Sequence, residues 1–579
     1  MSDSEFKPKL GRPRSSGHSE RITRNILKAT PRPRASRSPW AGALTRRPVA
    51  ELARGKGALY GLSPPTPGRR RVIVKMRIAR HGTADLGAAR AHLHYIQRDG
   101  VTREGGPGQL YDREAEGIDS GDFLSAQKRD TYQFRLIVAP EDGARLAELK
   151  PFVRDLMVRI EGDLHTKLEW VAVDHFNTGN PHTHIVIAGH DDRGKDLVIA
   201  RHYISHGIRE RAQDLVTLEL GPELDYERVL KLAYEVRAER FTSLDRGLIK
   251  KASENVLTIP ALASEETGRQ ALRIGRLKTL EKLGLAEERR PGVWLLDSAI
   301  EPKLRAMGER GDIMLTMNRA MKAAGHERSA GDFAIFSGAA KASPVIGRVA
   351  DIGFTDELTE RRYLVVDGVD GRVHYAETSK LPAGHVPEPG MIVALSGGGK
   401  GKVRNATFEI VSYWELERLP QVIGETWLDR TIVSEQRPAI RERGFGAEVS
   451  KALQLREEHL IANGLALSDT PGTITPNHKM LAELSQRGRI ALLTRLETEI
   501  DLPHRHLADG DRFQGRHIKT VDLPTGRLAV IANNREFTTI PWRSELLQMR
   551  ERDLTLTVQN RAIAVTVSRG LQRDLGLSR

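Results

Sequence analysis

The sequence predicts an α+β protein in which antiparallel sheets and helical segments occupy successive stretches of the chain. Three observations carry that expectation. Within 69–225, apolar residues recur with a period of two in several short runs and at helical spacing between them. Over 226–340 and again over 425–505 the pattern is helical, and each of these stretches is followed by a β-rich one. The junctions carry Gly, Pro, Asp and Asn, which set turns through their backbone preferences.

Taken in order, residues 1–68 form a basic arm. Gly-Arg-Pro-Arg, Thr-Pro-Arg-Pro-Arg and Ser-Pro-Pro-Thr-Pro-Gly leave too little apolar periodicity for a core, so disorder is expected. Val72, Val74, Met76 and Ile78 alternate as a strand. Leu86, Ala89, Leu93 and Ile96 then repeat at helical spacing in a segment that ends at Gly100 and contains Tyr95. Residues 101–130 are polar and Gly/Asp-rich, the composition of a loop. Tyr132, Phe134, Leu136 and Val138 alternate up to Pro140. Leu146, Leu149, Phe152, Val153, Leu156, Met157, Ile160 and Leu164 make a long amphipathic helix. Two further strands over 168–188 and a helix through Ile204, Ile208, Ala212, Leu215 and Val216, closed by Gly221-Pro222, complete the segment. The order reads as one antiparallel sheet with helices on one face, a domain spanning 69–225.

Beyond Pro222 the signal is organisational rather than chemical. Region 226–340 is helical and contains a winged-helix-like segment. In it Leu272, Leu277, Leu280 and Leu283 precede Gly284-Leu285-Ala286, a basic turn and Val293-Trp294-Leu295-Leu296. Region 341–420 reads as a small β-rich domain and 421–579 as a mixed helical and β domain. No constellation of chemically active side chains stands out after residue 225.

Composition narrows the function classes. The chain has no cysteine, which excludes disulfides and thiolate metal sites and fits a reducing compartment. No apolar run approaches the ~18 residues that a membrane span needs, and the polar, basic start lacks the apolar core of a secretory signal. The net charge of +14 is concentrated: residues 1–75 hold 18 Lys and Arg against 4 Asp and Glu. Such asymmetry points to a polyanionic partner for that segment, because Lys and Arg displace condensed counterions from nucleic acid.

The chemistry is concentrated in residues 168–188. Val171, Val173 and His175 alternate along one run, and His182, His184 and Val186 along the next. The turn between them, with Asn177, Gly179, Asn180 and Pro181, folds the chain into a hairpin. Alternate residues of a strand share a face, so His182 and His184 point the same way. Directly opposed residues of paired strands lie about 5 Å apart, which sets His175 beside His182. Three imidazoles on one face of a buried sheet make a metal site with open coordination positions, and ligand softness alone favours Zn, Ni or Mn. Asp174 falls on the opposite face and reads as structural.

Pro-His-Thr-His-Ile-Val-Ile with an upstream His resembles the third motif of conjugative relaxases, the HUH single-strand endonucleases of the mobilisation type. Thr183 replaces the hydrophobic residue usual between the paired histidines. The resemblance covers 69–225 and implies that His175, His182 and His184 bind a divalent cation, Mg or Mn first, with Zn or Ni possible in vitro. Family members place a nucleophilic tyrosine on a helix ahead of the histidines, and Tyr95, in His92-Leu93-His94-Tyr95-Ile96-Gln97-Arg98-Asp99-Gly100, is the matching position. It would nick one strand at an origin of transfer, hold it as a 5′-phosphotyrosine and religate it.

The same likeness implies single-stranded origin DNA, relaxosome accessory proteins and a type IV secretion coupling protein as partners. It also implies a bacterial cytoplasmic location and export attached to the transferred strand. Arg69, Arg70, Arg71 and Arg98 are candidate DNA contacts, His92 and His94 candidate phosphate contacts, and Tyr111, Tyr132 and Tyr203 conceivable auxiliary nucleophiles. Two other classes stay open at this point: a metal-dependent phosphoesterase, nuclease or rolling-circle-type initiator, and a DNA-binding scaffold with a structural metal.

Overall fold

A computed structural model describes residues 68–567 apart from 81–85, 99–100, 128, 177–179, 260–266, 337–343, 360, 380, 382–385, 399–404, 435–438, 471–472, 478, 550–551 and 561. Residues 1–67 of the basic arm, Asp99-Gly100 and the middle of the histidine turn lie outside the described residues. The protein is α+β and divides into two compact units, one ending at Gly311 and the other beginning at Asp312.

In the first unit, β1 (Val72–Arg80), β2 (Tyr132–Pro140), β3 (Trp170–His175) and β4 (His182–Ile187) form one antiparallel sheet in the order β1-β2-β4-β3. All nine residues of β2 are buried. A strand apolar on both sides needs cover on both faces, and the helices supply it. Helices α3 (Leu149–Leu164) and α4 (Ile208–Leu220) pack Phe152, Leu156, Ile160, Ala212 and Val216 onto the face bearing Phe134, Leu136, Ala172 and Ile185. Helices α1 (Gly87–Ile96) and α2 (Ser120–Ala126) pack Ala89, Leu93, Ile96, Phe123 and Leu124 onto the other, with Val171, Val173 and Val186.

This corrects two expectations. Helices cover both faces of the sheet rather than one, because α1 lies across the face opposite to α3 and α4. The polar stretch 101–130 contains α2, whose N-cap Asp119 accepts hydrogen bonds from the Gly121 and Asp122 amides. The ends of the long helices follow local chemistry. His165 closes α3 in the left-handed region at φ 51°, and Gly221 closes α4 at φ 76°.

The remainder of the first unit is a helical body. It comprises α5 (Asp225–Val236), α6 (Ser243–Lys251), β5 (Val256–Thr258), α7 (Thr267–Lys282), the hairpin β6 (Ala286–Arg290) and β7 (Val293–Leu296), and the start of α8 (Ile300–Ala323). The strands pair in the order β5-β7-β6 around a core of Leu248, Leu257, Leu277, Leu280, Trp294 and Leu304.

The second unit is built around two sheets. Strands β9 (Val345–Asp356), β10 (Arg361–Gly368), β11 (Val373–Thr378), β12 (Ile392–Gly398) and β13 (Asn405–Ser412) close on themselves, since β11 pairs with both β10 and β13. The short β8 (Phe333–Ile335) joins alongside β11. Helices α9 (Trp427–Val433) and α10 (Phe445–Ala462), the hairpin β14 (Ala466–Thr470) and β15 (Thr473–Pro476), and α11 (Met480–Ile500) follow. The last sheet holds β16 (Arg512–Leu523), β17 (Gly526–Ala532), β18 (Phe537–Pro541), β19 (Asp553–Gln559) and β20 (Ala562–Val567), ordered β18-β17-β16-β19-β20.

Candidate metal centre

The antiparallel register of β3 and β4 sets His175 opposite His182 and Val173 opposite His184. The three rings therefore stand on the face covered by α1, at 0%, 1% and 1% exposure. Ring centroids are 5.3 Å apart for His175 and His182, 4.3 Å for His175 and His184, and 5.3 Å for His182 and His184. Each ring offers a nitrogen, and the three lie within 4.8 Å of one another. Two nitrogens bound to one ion at about 2.1 Å are separated by about 4.2 Å or less, so small ring rotations close the set on a cation.

Backbone carbonyls fix which nitrogen each ring presents. A carbonyl only accepts, so His175 donates from Nε2 to the Ile96 carbonyl at 2.7 Å and His182 donates from Nδ1 to the Asn180 carbonyl at 3.0 Å. His175 then offers Nδ1 and His182 offers Nε2 as lone-pair donors. His175 Nδ1 is buried without a hydrogen-bond partner, the arrangement expected of an atom reserved for a ligand. Burial pushes the His175 ring down to about 2, with the neighbouring His184, Arg98 and His182 adding to the effect against the opposing Ile96 hydrogen bond. The ring is neutral, as coordination requires.

Ile96 ends α1, so the carbonyl that orients His175 belongs to the residue after Tyr95. Tyr95 is half-buried, packs against the apolar cluster under α1, and carries the Arg98 guanidinium 4.2 Å over its ring. Arg98 also donates to the Tyr95 carbonyl at 3.2 Å. His92 is buried 6.4 Å from Tyr95 between ring centroids, whereas His94 is exposed.

A positioning residue that sequence reading passed over is Gly108. A Cβ there would lie 2.6 Å from Val173 Cγ1 and 3.1 Å from the Ile96 carbonyl oxygen, the same oxygen that holds His175. Only the absence of a side chain lets the 101–112 segment run so close to both. Its signal in the sequence was a lone glycine in a stretch already rich in glycine, which does not distinguish it.

Other candidates resolve differently. On the opposite face of the sheet Asp174 accepts from Tyr111 Oη at 2.8 Å and from Thr183 Oγ1 at 2.6 Å. Burial, followed by the Asp174 charge, pushes the Tyr111 phenol well above its ordinary value. Tyr132 donates to the Leu197 carbonyl at 3.0 Å and Tyr203 to Asp163 at 2.8 Å. These three phenols are buried hydrogen-bond donors rather than free nucleophiles.

The expectation that Arg70 contacts DNA is corrected. Its guanidinium is 2% exposed and is engaged by Asp142, Glu227 and the Gly221 carbonyl, tying the start of β1 to the end of α4. Arg69 pairs with Asp214 at 2.8 Å and Arg71 with Glu141 at 3.1 Å.

The family model described as "Protein of unknown function (DUF3363)" matches residues 273–406 and 398–576, together more than half of the chain. The chain belongs to the DUF3363 family. Its match begins after the histidine hairpin, so DUF3363 membership describes the C-terminal region and leaves the imidazole cluster to be argued on its own geometry. No curated protein matches the chain. Among the described residues no helix is long and apolar enough to cross a membrane.

Proposed function

We propose that residues 69–225 are an HUH-type relaxase domain that nicks and rejoins single-stranded DNA by tyrosine transesterification. The observation that carries this reading is the buried trio His175, His182 and His184, tied through the Ile96 carbonyl to the helix that bears Tyr95.

A bound divalent ion, Mg or Mn in the working complex, would supply Lewis acidity to a scissile phosphate. The chain's own residues do the rest. His175 and His182 each give one ring nitrogen to a backbone carbonyl, which turns the other nitrogen of each toward the ion. Arg98 holds the Tyr95 ring and puts a positive charge beside it, which suits a phenol that is a weak nucleophile at its ordinary pKa of about 10. The Tyr95 oxygen attacks phosphorus and loses its proton. The bond from phosphorus to the 3′-oxygen breaks, and that oxygen leaves and takes a proton. The 5′-phosphotyrosine ester keeps the phosphodiester's bond, so attack by a 3′-hydroxyl reverses the step and rejoins the strand.

In this reading the substrate is an origin of transfer, the site of action is a bacterial cytoplasm, and relaxosome proteins and a type IV coupling protein are the partners. The helix, short strand, helix and hairpin of 243–296 are winged-helix-like within it. The test mixes the protein with single-stranded origin DNA and Mn and resolves the products on a denaturing gel. A covalent protein–DNA band that disappears in Tyr95→Phe supports the reading. Free fragments point to a hydrolytic phosphoesterase, and intact DNA to a scaffold. A normal 5′-linked adduct in Tyr95→Phe removes Tyr95 from the role.

A further inference from the structure

Two stretches of the chain carry the same buried clamp. Thr242-Ser243-Leu244-Asp245-Arg246 opens α6 and Thr426-Trp427-Leu428-Asp429-Arg430 opens α9. In each, the Asp side chain accepts from the Thr amide and hydroxyl, at 2.7 and 2.7 Å in the first and 2.7 and 2.8 Å in the second. In each, an arginine of the next long helix closes on that Asp with both partners 0% exposed: Arg276 on Asp245 at 2.7 Å, Arg456 on Asp429 at 2.8 Å. Arg276 also donates to the carbonyls of Val236, Ala238 and Arg240, and Arg456 to those of Pro420, Val422 and Gly424. These are the residues six, four and two before the threonine in both cases.

The correspondence continues at a constant offset of 180 from that arginine, as a repeat requires. Leu280, Gly284, Leu285, Ala286, Pro291 and Gly292 match Leu460, Gly464, Leu465, Ala466, Pro471 and Gly472. Asp297 and Asn477 stand just ahead of the following helix, and each accepts from the amide two residues on, that of Ala299 and of Lys479. Gly308 and Gly488 each pass so close to the segment before the threonine that a Cβ would collide, 2.7 Å from Arg240 Cβ and 2.9 Å from Gly424 Cα. The sheets that follow share one strand order, β11-β10-β9-β12-β13 and β18-β17-β16-β19-β20.

Against this retained interior the surface charge diverges. Leaving out the buried Arg276 and Arg456, the helix and hairpin over 267–296 hold six Lys and Arg against three Glu, while the equivalent 447–476 hold one against four Asp and Glu. Position by position, Lys278 corresponds to Glu458, Lys282 to Ala462, Arg289 to Asp469 and Arg290 to Thr470. All four cations of the first copy are exposed. Arg289 reaches Glu287 at 3.0 Å, at a site where both side chains are more than half exposed.

We infer that the chain carries two copies of one module and that the first copy alone binds duplex nucleic acid, through α7 and the tip of the β6–β7 hairpin. Lys278 and Lys282 are one turn apart, about 6 Å along the helix. The exposed face of one helix, here the face bearing Lys278 and Lys282 opposite the buried Leu277 and Leu280, can enter a major groove about 12 Å wide, with the hairpin cations left to meet the flanking phosphates. An acidic protein partner is disfavoured because a peptide surface needs an apolar anchor. None of the large exposed apolar side chains among the described residues lies between 268 and 296. The second copy keeps the fold and reverses the charge, so its role there is a different one.

The test uses the full chain with a random-sequence 20-base-pair DNA duplex in EDTA, so that neither the candidate metal centre nor an origin sequence contributes. Lysine acetylation read by mass spectrometry reports each site separately from the basic arm. Duplex should slow modification of Lys278 and Lys282 several-fold and leave Lys451 of the second copy unchanged. The quadruple variant Lys278→Gln, Lys282→Gln, Arg289→Gln, Arg290→Gln, whose positions are all exposed, should keep the wild-type melting temperature. Its salt dependence of duplex binding should be shallower by about two to four in log–log slope. Equal modification rates of Lys278 and Lys282 with and without duplex overturn the inference, as does equal protection of Lys451. The outcome is independent of the Tyr95 adduct assay.

Discussion

His175 Nε2 donates to the Ile96 carbonyl at 2.7 Å, joining the end of helix α1 to the last residue of β3. That single bond fixes the ring's tautomer, turns Nδ1 toward the other two imidazoles and holds the Tyr95 end of the helix against the sheet. A metal ligand's outer hydrogen bond is worth 10–100-fold in affinity in known metal sites, so with a cation in the cluster this contact would bear on binding as well as on packing.

Removal of any one of the three rings should therefore abolish tight cation binding without unfolding the sheet. His184→Ala is expected to weaken Mn binding at least 100-fold by isothermal titration calorimetry. Retention of wild-type affinity would show that the cluster is a packed core rather than a ligand set.

Gly108→Val places two methyl groups against Val173 and the Ile96 carbonyl. Overpacking of this kind costs about 1–3 kcal/mol. We expect a loss of that size in urea denaturation together with a weaker Mn affinity, because the carbonyl that orients His175 must move. A stability loss with unchanged affinity would separate the two.

Asp174→Ala strands the Tyr111 and Thr183 hydroxyls on the buried opposite face. A buried donor left unmade costs about 1–3 kcal/mol, so with two of them the variant should lose about 2–6 kcal/mol while still binding Mn as the wild type does. Loss of metal binding in a folded variant would contradict the assignment of Asp174 to structure.

His190 gives a pH signature. Burial works against its charge, but hydrogen bonds and charge from Asp130 and Glu169 outweigh it and raise the ring above its ordinary value. A raised histidine stabilises the fold fully below the unfolded value near 6.5, and that contribution disappears as pH rises through the folded value. The stability difference between wild type and His190→Gln should accordingly be largest near pH 5.5 and smallest near pH 9. A difference that grows with pH would reverse the sign and refute the pairing.

The two clamps predict parallel losses. Arg276→Ala and Arg456→Ala each leave a buried aspartate and three carbonyls without their partner, a change worth about 3–5 kcal/mol. Each should destabilise its own module in urea unfolding, and the double variant should show both losses additively, since the two clamps share no partner. Strong non-additivity would mean that the two modules do not unfold independently.

Much of the sheet domain was legible from periodicity. Alternation located β1 to β4 to within a residue or two, and the spacing of His182 and His184 was enough to put those two on one face, because a strand's period of two permits no other arrangement; the register across the turn brings His175 to the same face. The repeat was also present in the sequence, in Thr-x-Leu-Asp-Arg twice and in Gly-Leu-Ala twice 180 residues apart. Its surface had diverged so far that the few retained interior residues were hard to see.

What the sequence by itself determined, then, is the local and the periodic: which segments are strands, which helices, and which side chains share a face. Only the tertiary structure decided what lies across that face. It showed that α1 covers the imidazoles, that Arg70 is buried among Asp142, Glu227 and a helix end rather than offered to solvent, and that Gly108 passes against Ile96. The physical reason is range. Backbone preference and hydrophobic alternation act over a few residues, whereas a carbonyl 79 positions away can choose a histidine's tautomer, and a buried arginine's partners are set by chain segments that meet only on folding.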